Sequence, residues 1–125
     1  MTTTNYPTTE PIIISKEKEA YKYWLILHRN FPKTERFNLG QIINEKFLLI
    51  LESSFIASYS PPNEKIIILS KTTKNLDALK FFCQIAWENK LIPTDRYAEL
   101  SKLLEEIGRM LGGWKKSLES KTPVT

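Results

Sequence analysis

The chain has one cysteine, one histidine and four glycines in 125 residues. Each shortage excludes something. With Cys83 alone, no intramolecular disulfide can form, and no Cys/His set at zinc-binding spacing exists. With His28 alone, any histidine-assisted nucleophile has a single choice of base. So few glycines rule out a loop-rich or collagen-like chain. No Gly-rich phosphate loop follows a strand. No apolar run approaches the roughly 18 residues that a membrane span needs, so no membrane partner is expected. The opening MTTTNYPTTE has neither a basic segment nor an apolar core and does not read as a secretion signal. These absences together predict a cytoplasmic protein.

What is present is ordinary for a globular domain: 42% apolar and 26% charged residues. The length suits one domain with a core that needs no staples. Lys and Arg outnumber Asp and Glu by 18 to 14, a net charge of +4. That balance permits a polyanionic partner without demanding one.

Proline is the punctuation. Internal breaks fall at Phe31-Pro32, Ser60-Pro61-Pro62 and Ile92-Pro93. Thr34, Asn63 and Thr94 follow as candidate helix caps, with Glu35, Glu64 and Asp95 placed for the positive end of a helix dipole. Three breaks predict four helices, over about 15–30, 34–59, 63–90 and 94–118. Ile12-Ile13-Ile14 reads as extended chain before a cap at Ser15. The apolar spacing agrees with helices. In the last segment Tyr97, Leu100, Leu103, Leu104, Ile107, Leu111, Trp114 and Leu118 form one stripe. In the third, Leu69, Leu76, Leu79, Cys83, Ala86 and Trp87 do the same, and in the first Tyr21, Trp24, Leu25 and His28. Short connections make neighbours antiparallel. The expected fold is all-α, an antiparallel up-down-up-down four-helix bundle over 11–119, with polar tails at 1–10 and 120–125 expected to be disordered.

The second helix carries too much apolar surface for a lone bundle. Ile43, Phe47, Ile50 and Leu51 make a core stripe, yet Ile42, Leu49 and Ile56 recur every seven residues on the other side. On the third helix Ile67, Phe81 and Ile85 lie opposite the core stripe. Leaving them in water forfeits about 1.5–3 kcal/mol for each large side chain. A homo-oligomer with Ile42, Leu49, Ile56, Phe81 and Ile85 at subunit contacts is the expectation.

No enzyme constellation stands out, so no catalytic residue, metal or cofactor is expected. His28 reads as a helix-end histidine, and Cys83 as a packed thiol. Glu105 and Glu106 read as solvated partners of Arg109 and Lys102 at helical spacing. Gly108, Gly112 and Gly113 sit inside the last stripe, where each costs about 1 kcal/mol against Ala. They suggest close approach of another backbone, or else Gly112-Gly113 ends the helix. Basic residues are the remaining candidates. Lys102, Arg109 and Lys116 repeat every seven along the last helix. The first corner gathers Arg29, Lys33 and Arg36. The phosphate-contact candidates are Lys33, Arg36, Lys71, Lys74, Lys80, Arg109, Lys115 and Lys116.

Two motifs go further: Phe31-Pro32-Lys33-Thr34-Glu35-Arg36-Phe37-Asn38-Leu39-Gly40, and Glu106-Ile107-Gly108-Arg109-Met110-Leu111-Gly112-Gly113-Trp114. With Ala57-Ser58-Tyr59 and Leu76-Asp77, they make residues 11–119 resemble the Avd family, the accessory variability determinants of diversity-generating retroelements. A wider relative is the family encoded in intervening sequences of bacterial 23S ribosomal RNA genes. It shares the Phe-Pro-x-x-Glu-Arg corner, while the Ile-Gly-Arg-Met-Leu-Gly-Gly-Trp ending favours Avd. The resemblance implies a four-helix bundle in a homopentameric barrel with a basic surface and no catalysis of its own. Its implied partners are the retroelement reverse transcriptase, RNA and also DNA. The complex copies a template-repeat RNA into cDNA with misincorporation at adenines, and that cDNA replaces a variable repeat. Five copies of a +4 chain would carry roughly +20. Lys80 stands where a family basic residue is expected, whereas Gln84 on the next turn departs from the pattern. The alternative is a bundle of the ribosomal intervening-sequence type, or a protein-interaction scaffold without a retroelement role.

Overall fold

Each of the helix starts near a proline is opened by that proline's own carbonyl. A computed structural model describes residues 10–121 of the chain. Its elements are α1 (Ile12–Arg29), α2 (Lys33–Arg36), α3 (Leu39–Ser58), α4 (Pro62–Glu88) and α5 (Thr94–Lys121). The Pro11 carbonyl accepts from the Ile14 amide at 3.0 Å, Pro32 from Arg36 at 2.9 Å, Pro61 from Lys65 at 2.9 Å and Pro93 from Tyr97 at 2.8 Å. A proline there has a fixed φ and no amide hydrogen to leave unpaired. This corrects the expected caps. Thr34 and Asn63 lie inside their helices, and no side chain caps α1, α2 or α4. Thr94 Oγ1 instead accepts from Trp87 Nε1 at 3.1 Å, tying α4 to α5.

The first helix also starts earlier than expected. Ile12-Ile13-Ile14 is helical, not extended, because Ile13 and Ile14 are buried in the core. Burial of two large side chains outweighs the weak helix propensity of β-branched residues. Ser15 is inside α1, where its hydroxyl donates to Glu10.

The single helix expected over 34–59 is broken into the one-turn α2 and the long α3. The reason is the packing of His28. Its ring lies so close to Gly40 that a Cβ there would fall 2.4 Å from Nε2 and 2.7 Å from Cδ2. His28 Nε2 donates to the Arg36 carbonyl at 3.2 Å, holding α2 over the end of α1. The ring also stacks on Trp24, with centroids 4.8 Å apart. Trp24 is fully buried and donates through Nε1 to Asn44 Oδ1, which accepts from Tyr21 as well. This aromatic knot joins α1 to α3.

Helices α1 and α4 each pack on α3 and on α5, so the order around the bundle is α1, α3, α4, α5. Consecutive long helices are antiparallel neighbours, as short connections require. Among the described residues the chain is all-helical, with no strand. The core is the predicted one: Trp24 and Leu27, Ile43, Phe47 and Ile50, Leu69 to Ala86 at helical spacing, and Leu100, Leu104, Ile107 and Leu111. Leu103 and Trp114 pack against it half-buried, whereas Leu25, Leu51 and Trp87, expected on the core stripes, are half-buried outside that cluster. The α4–α5 turn uses a device that the sequence does not announce. Lys90 adopts φ 62°, Leu91 N–H donates to the Ala86 carbonyl at 2.8 Å, and Lys90 N–H to that of Trp87 at 3.0 Å. That is a Schellman ending with lysine where glycine is usual. Helix α5 runs through Gly112 and Gly113 to Lys121. Of the expected tails at 1–10 and 120–125, residues 1–9 and 122–125 lie outside the described residues, whereas Glu10 accepts from Ser15, and Ser120 and Lys121 are helical.

Candidate interaction surfaces

The groups with reactive chemistry are engaged in packing. Cys83 is buried, and burial pushes its thiol up to about 12, which keeps the thiol protonated and unreactive. His28 is committed to the α1–α2 corner. No group of three or more His, Cys, Asp or Glu among the described residues is placed to hold a metal. Glu105 and Glu106 do not pair along their own helix as expected. Glu105 takes Lys80 of α4 at 3.0 Å, and Glu106 takes Lys16 of α1 at 3.4 Å. Cross-helix partners win because neighbouring helices bring the cations closer than the i,i+4 partners on α5. Arg109 and Lys102 are thereby left without an ion pair among the described residues.

One carboxyl escaped the sequence reading. Glu17 of α1 is 1% exposed. Ser54 Oγ of α3 donates to its Oε2 at 2.6 Å, and its Oε1 has no partner among the described residues. Burial pushes Glu17 up to about 8, with the Ser54 hydrogen bond pulling the other way. It is therefore largely a neutral acid at pH 7. Spacing could have found it, since Glu17 lies three and four residues from Ile14, Ile13 and Ala20 on the core face of α1. Glutamate's usual exposure hid it.

The outward apolar surface is concentrated on one side. Seven of the ten exposed large hydrophobic residues lie on α3 and α4, and none on α5. On α3 they are Ile42, Leu48, Leu49, Phe55 and Ile56, between 37% and 46% exposed. On α4 they are Ile67 at 58% and Phe81 at 57%. Ile85 of the same face is half-buried. The predicted contact residues thus lie on the outer faces of two helices that pack against each other, with Phe81 also bordering the cleft between α4 and α5.

The eight basic candidates are not brought together. Lys33 and Arg36 stand on α2 at one end of the bundle, beside the end of α1 that carries Arg29. Lys90 and Arg96 reach the same end, and the sequence reading missed them because only the chain reversal at Pro93 brings them there. Lys115 and Lys116 occupy the opposite end of α5. A helix of 28 residues is about 42 Å long, so one small ligand cannot touch both sets. Arg109 and Lys116, with Lys102, form an exposed line along α5. Lys80 is half-buried in its pair with Glu105, beside an α4–α5 cleft of about 330 Å³. Lys71 and Lys74 lie within the apolar side of α4.

No helix of the described residues is long and apolar enough to cross a membrane. A comparison with curated proteins gives no match. A family model does match, described as bAvd-like, over residues 12–118. That span runs from the first turn of α1 through the stripe, glycines and Trp114 of α5, so the chain belongs to the bAvd-like family.

Proposed function

We propose that this chain is a non-enzymatic accessory protein of a diversity-generating retroelement, working in the cytoplasm. Several copies, five by family analogy, join through the α3–α4 side. The assembly binds the reverse transcriptase and holds template RNA or its cDNA on the remaining cationic surface. The reading is carried by family membership over residues 12–118. It is supported by the division of the surface into an apolar side and a side bearing the Lys102–Arg109–Lys116 line. Contacts of this kind neutralise phosphates and position a strand without reading its bases. Mutagenesis during retrohoming would then be the polymerase's chemistry, with this protein supplying placement.

The test is RNA binding by the purified chain between 50 and 200 mM salt. Affinity should fall steeply, with a log–log slope that shrinks by about 0.7 for each phosphate contact removed. Arg109→Glu with Lys116→Glu should flatten it. A response already flat in the unaltered protein, together with no co-purification of the reverse transcriptase, removes the nucleic-acid role and leaves a protein-interaction scaffold.

A further inference from the structure

The two outward helix faces of the apolar side differ in charge. A step of seven residues falls only about 20° short of two turns, so such residues share a line along a helix. On α3, Ile42, Leu49 and Ile56 make one line, with the exposed Glu45 and Glu52 in a parallel line on one flank and the half-buried Lys46 on the other. On α4, Ile67, Lys74 and Phe81 fall on a single line, with Lys71 and Ile85 on its flank. Glu45, Glu52, Lys71 and Lys74 are all exposed, and none has an ion pair among the described residues. Among the described residues the only side-chain partner of the four is Gln41, whose amide donates to Glu45 at 3.0 Å. Asp77, one turn on from Lys74, makes no ion pair with it either.

We infer that the α4 face of one copy docks on the α3 face of a second copy, with Lys71 and Lys74 meeting Glu45 and Glu52 across the contact. This rests on the oligomeric reading above and assigns its pairing. Charge complementarity selects the occupant. A phosphate strand laid on Lys71 and Lys74 would press against Ile67 and Phe81, which are more than half exposed and offer it nothing. The α3 face of another copy offers an apolar line for those two side chains and carboxylates for the lysines. Lys71 and Lys74 are then subunit contacts and leave the set of phosphate contacts. Pairing α3 against α4, not like against like, also sets the sign of each neighbour's charge and so rejects the wrong register.

Light scattering on full-length variants tests this, with helicity and melting temperature checked for each. Lys71→Glu with Lys74→Glu should weaken self-association on the order of 100-fold, because like charges then face one another. Glu45→Lys with Glu52→Lys should do the same. All four substitutions together should restore the assembly, which a folding defect could not do. The inference is overturned if the Lys71/Lys74 variant keeps the wild-type mass, and RNA affinity falls instead. It is also overturned if Leu49→Asp dissociates the assembly while both charge reversals leave it intact. In that case the oligomeric reading survives without this pairing. A wild-type monomer at all concentrations removes both.

Discussion

Helix α5 is tied to each of its neighbours by an ion pair, Glu105 to Lys80 and Glu106 to Lys16, whereas none among the described residues joins α3 to α4. The outer surfaces differ in the same sense. The side formed by α1 and α5 carries the cationic line and exposes two large hydrophobic residues, Ile12 and Ile26. The α3–α4 side exposes seven. Both sides bury a conventional leucine- and isoleucine-rich interior, so stability of one copy does not explain the contrast. The difference teaches that one half of the bundle meets its surroundings with charge and the other with apolar side chains, the asymmetry on which the proposed assembly rests.

The largest expected effect comes from placing charge on the apolar half. Leu49→Asp with Phe81→Asp should abolish self-association while leaving helicity unchanged. Each substitution removes about 1.5–3 kcal/mol of apolar burial per contact and adds a charge to be desolvated. The counterpart on the other half, Ala98→Asp, should leave the mass unchanged by light scattering. Dissociation in both cases would erase the distinction between the halves.

The next effect concerns the link between the halves, where Glu17 of α1 meets Ser54 of α3. The folded carboxyl keeps its proton up to about pH 8, while in the unfolded chain it ionises near its ordinary 4.5. Between those values the folded state binds more protons, so this group's contribution to stability declines as pH rises. The slope is up to about 1.4 kcal/mol per pH unit, and it levels off above pH 8. Urea unfolding from pH 5 to 9 should show that decline, and Glu17→Gln should remove it. An unchanged pH profile in the variant would mean that Glu17 ionises alike in both states.

The smallest effects separate glycines on the two halves. Gly40→Ala on α3 should destabilise by about 1–3 kcal/mol, because the His28 ring must move. Gly112→Ala on α5 has open space around it within one copy and should stabilise an isolated copy by about 0.5–1 kcal/mol. Thermal melts of both variants give the signs. Loss of stability for Gly112→Ala would reveal a neighbour pressed against α5.

The long helices and their core stripes were legible because hydrophobic spacing reports directly on which face is inward. What spacing could not report was anything decided between helices. It paired Glu105 with Arg109 because it sees only neighbours one turn away, while Lys80 and Lys16 arrive from other helices. It assigned close packing to Gly108, Gly112 and Gly113, whereas the close approach is at Gly40, where an aromatic ring from α1 comes down on α3. At Gly108 an added Cβ would meet side chains at an ordinary 3.4 Å. The break at Phe37 and Asn38 has no proline to mark it, and the left-handed Lys90 has no glycine. Of the candidate surfaces, the apolar side was readable from the second helix's surplus of isoleucine, leucine and phenylalanine. The basic residues were readable one by one, but their dispersal over both ends and two faces depends on chain direction.

The proline openings carry a consequence for how this protein can drift. Start signals written in main-chain carbonyls do not depend on the hydroxyl or amide side chains beside them. Thr34 and Asn63 are therefore free to change identity without unfixing where their helices begin. Variation at those corners is cheap, and a lineage can remodel the surface at both ends of the bundle while its helices keep their length.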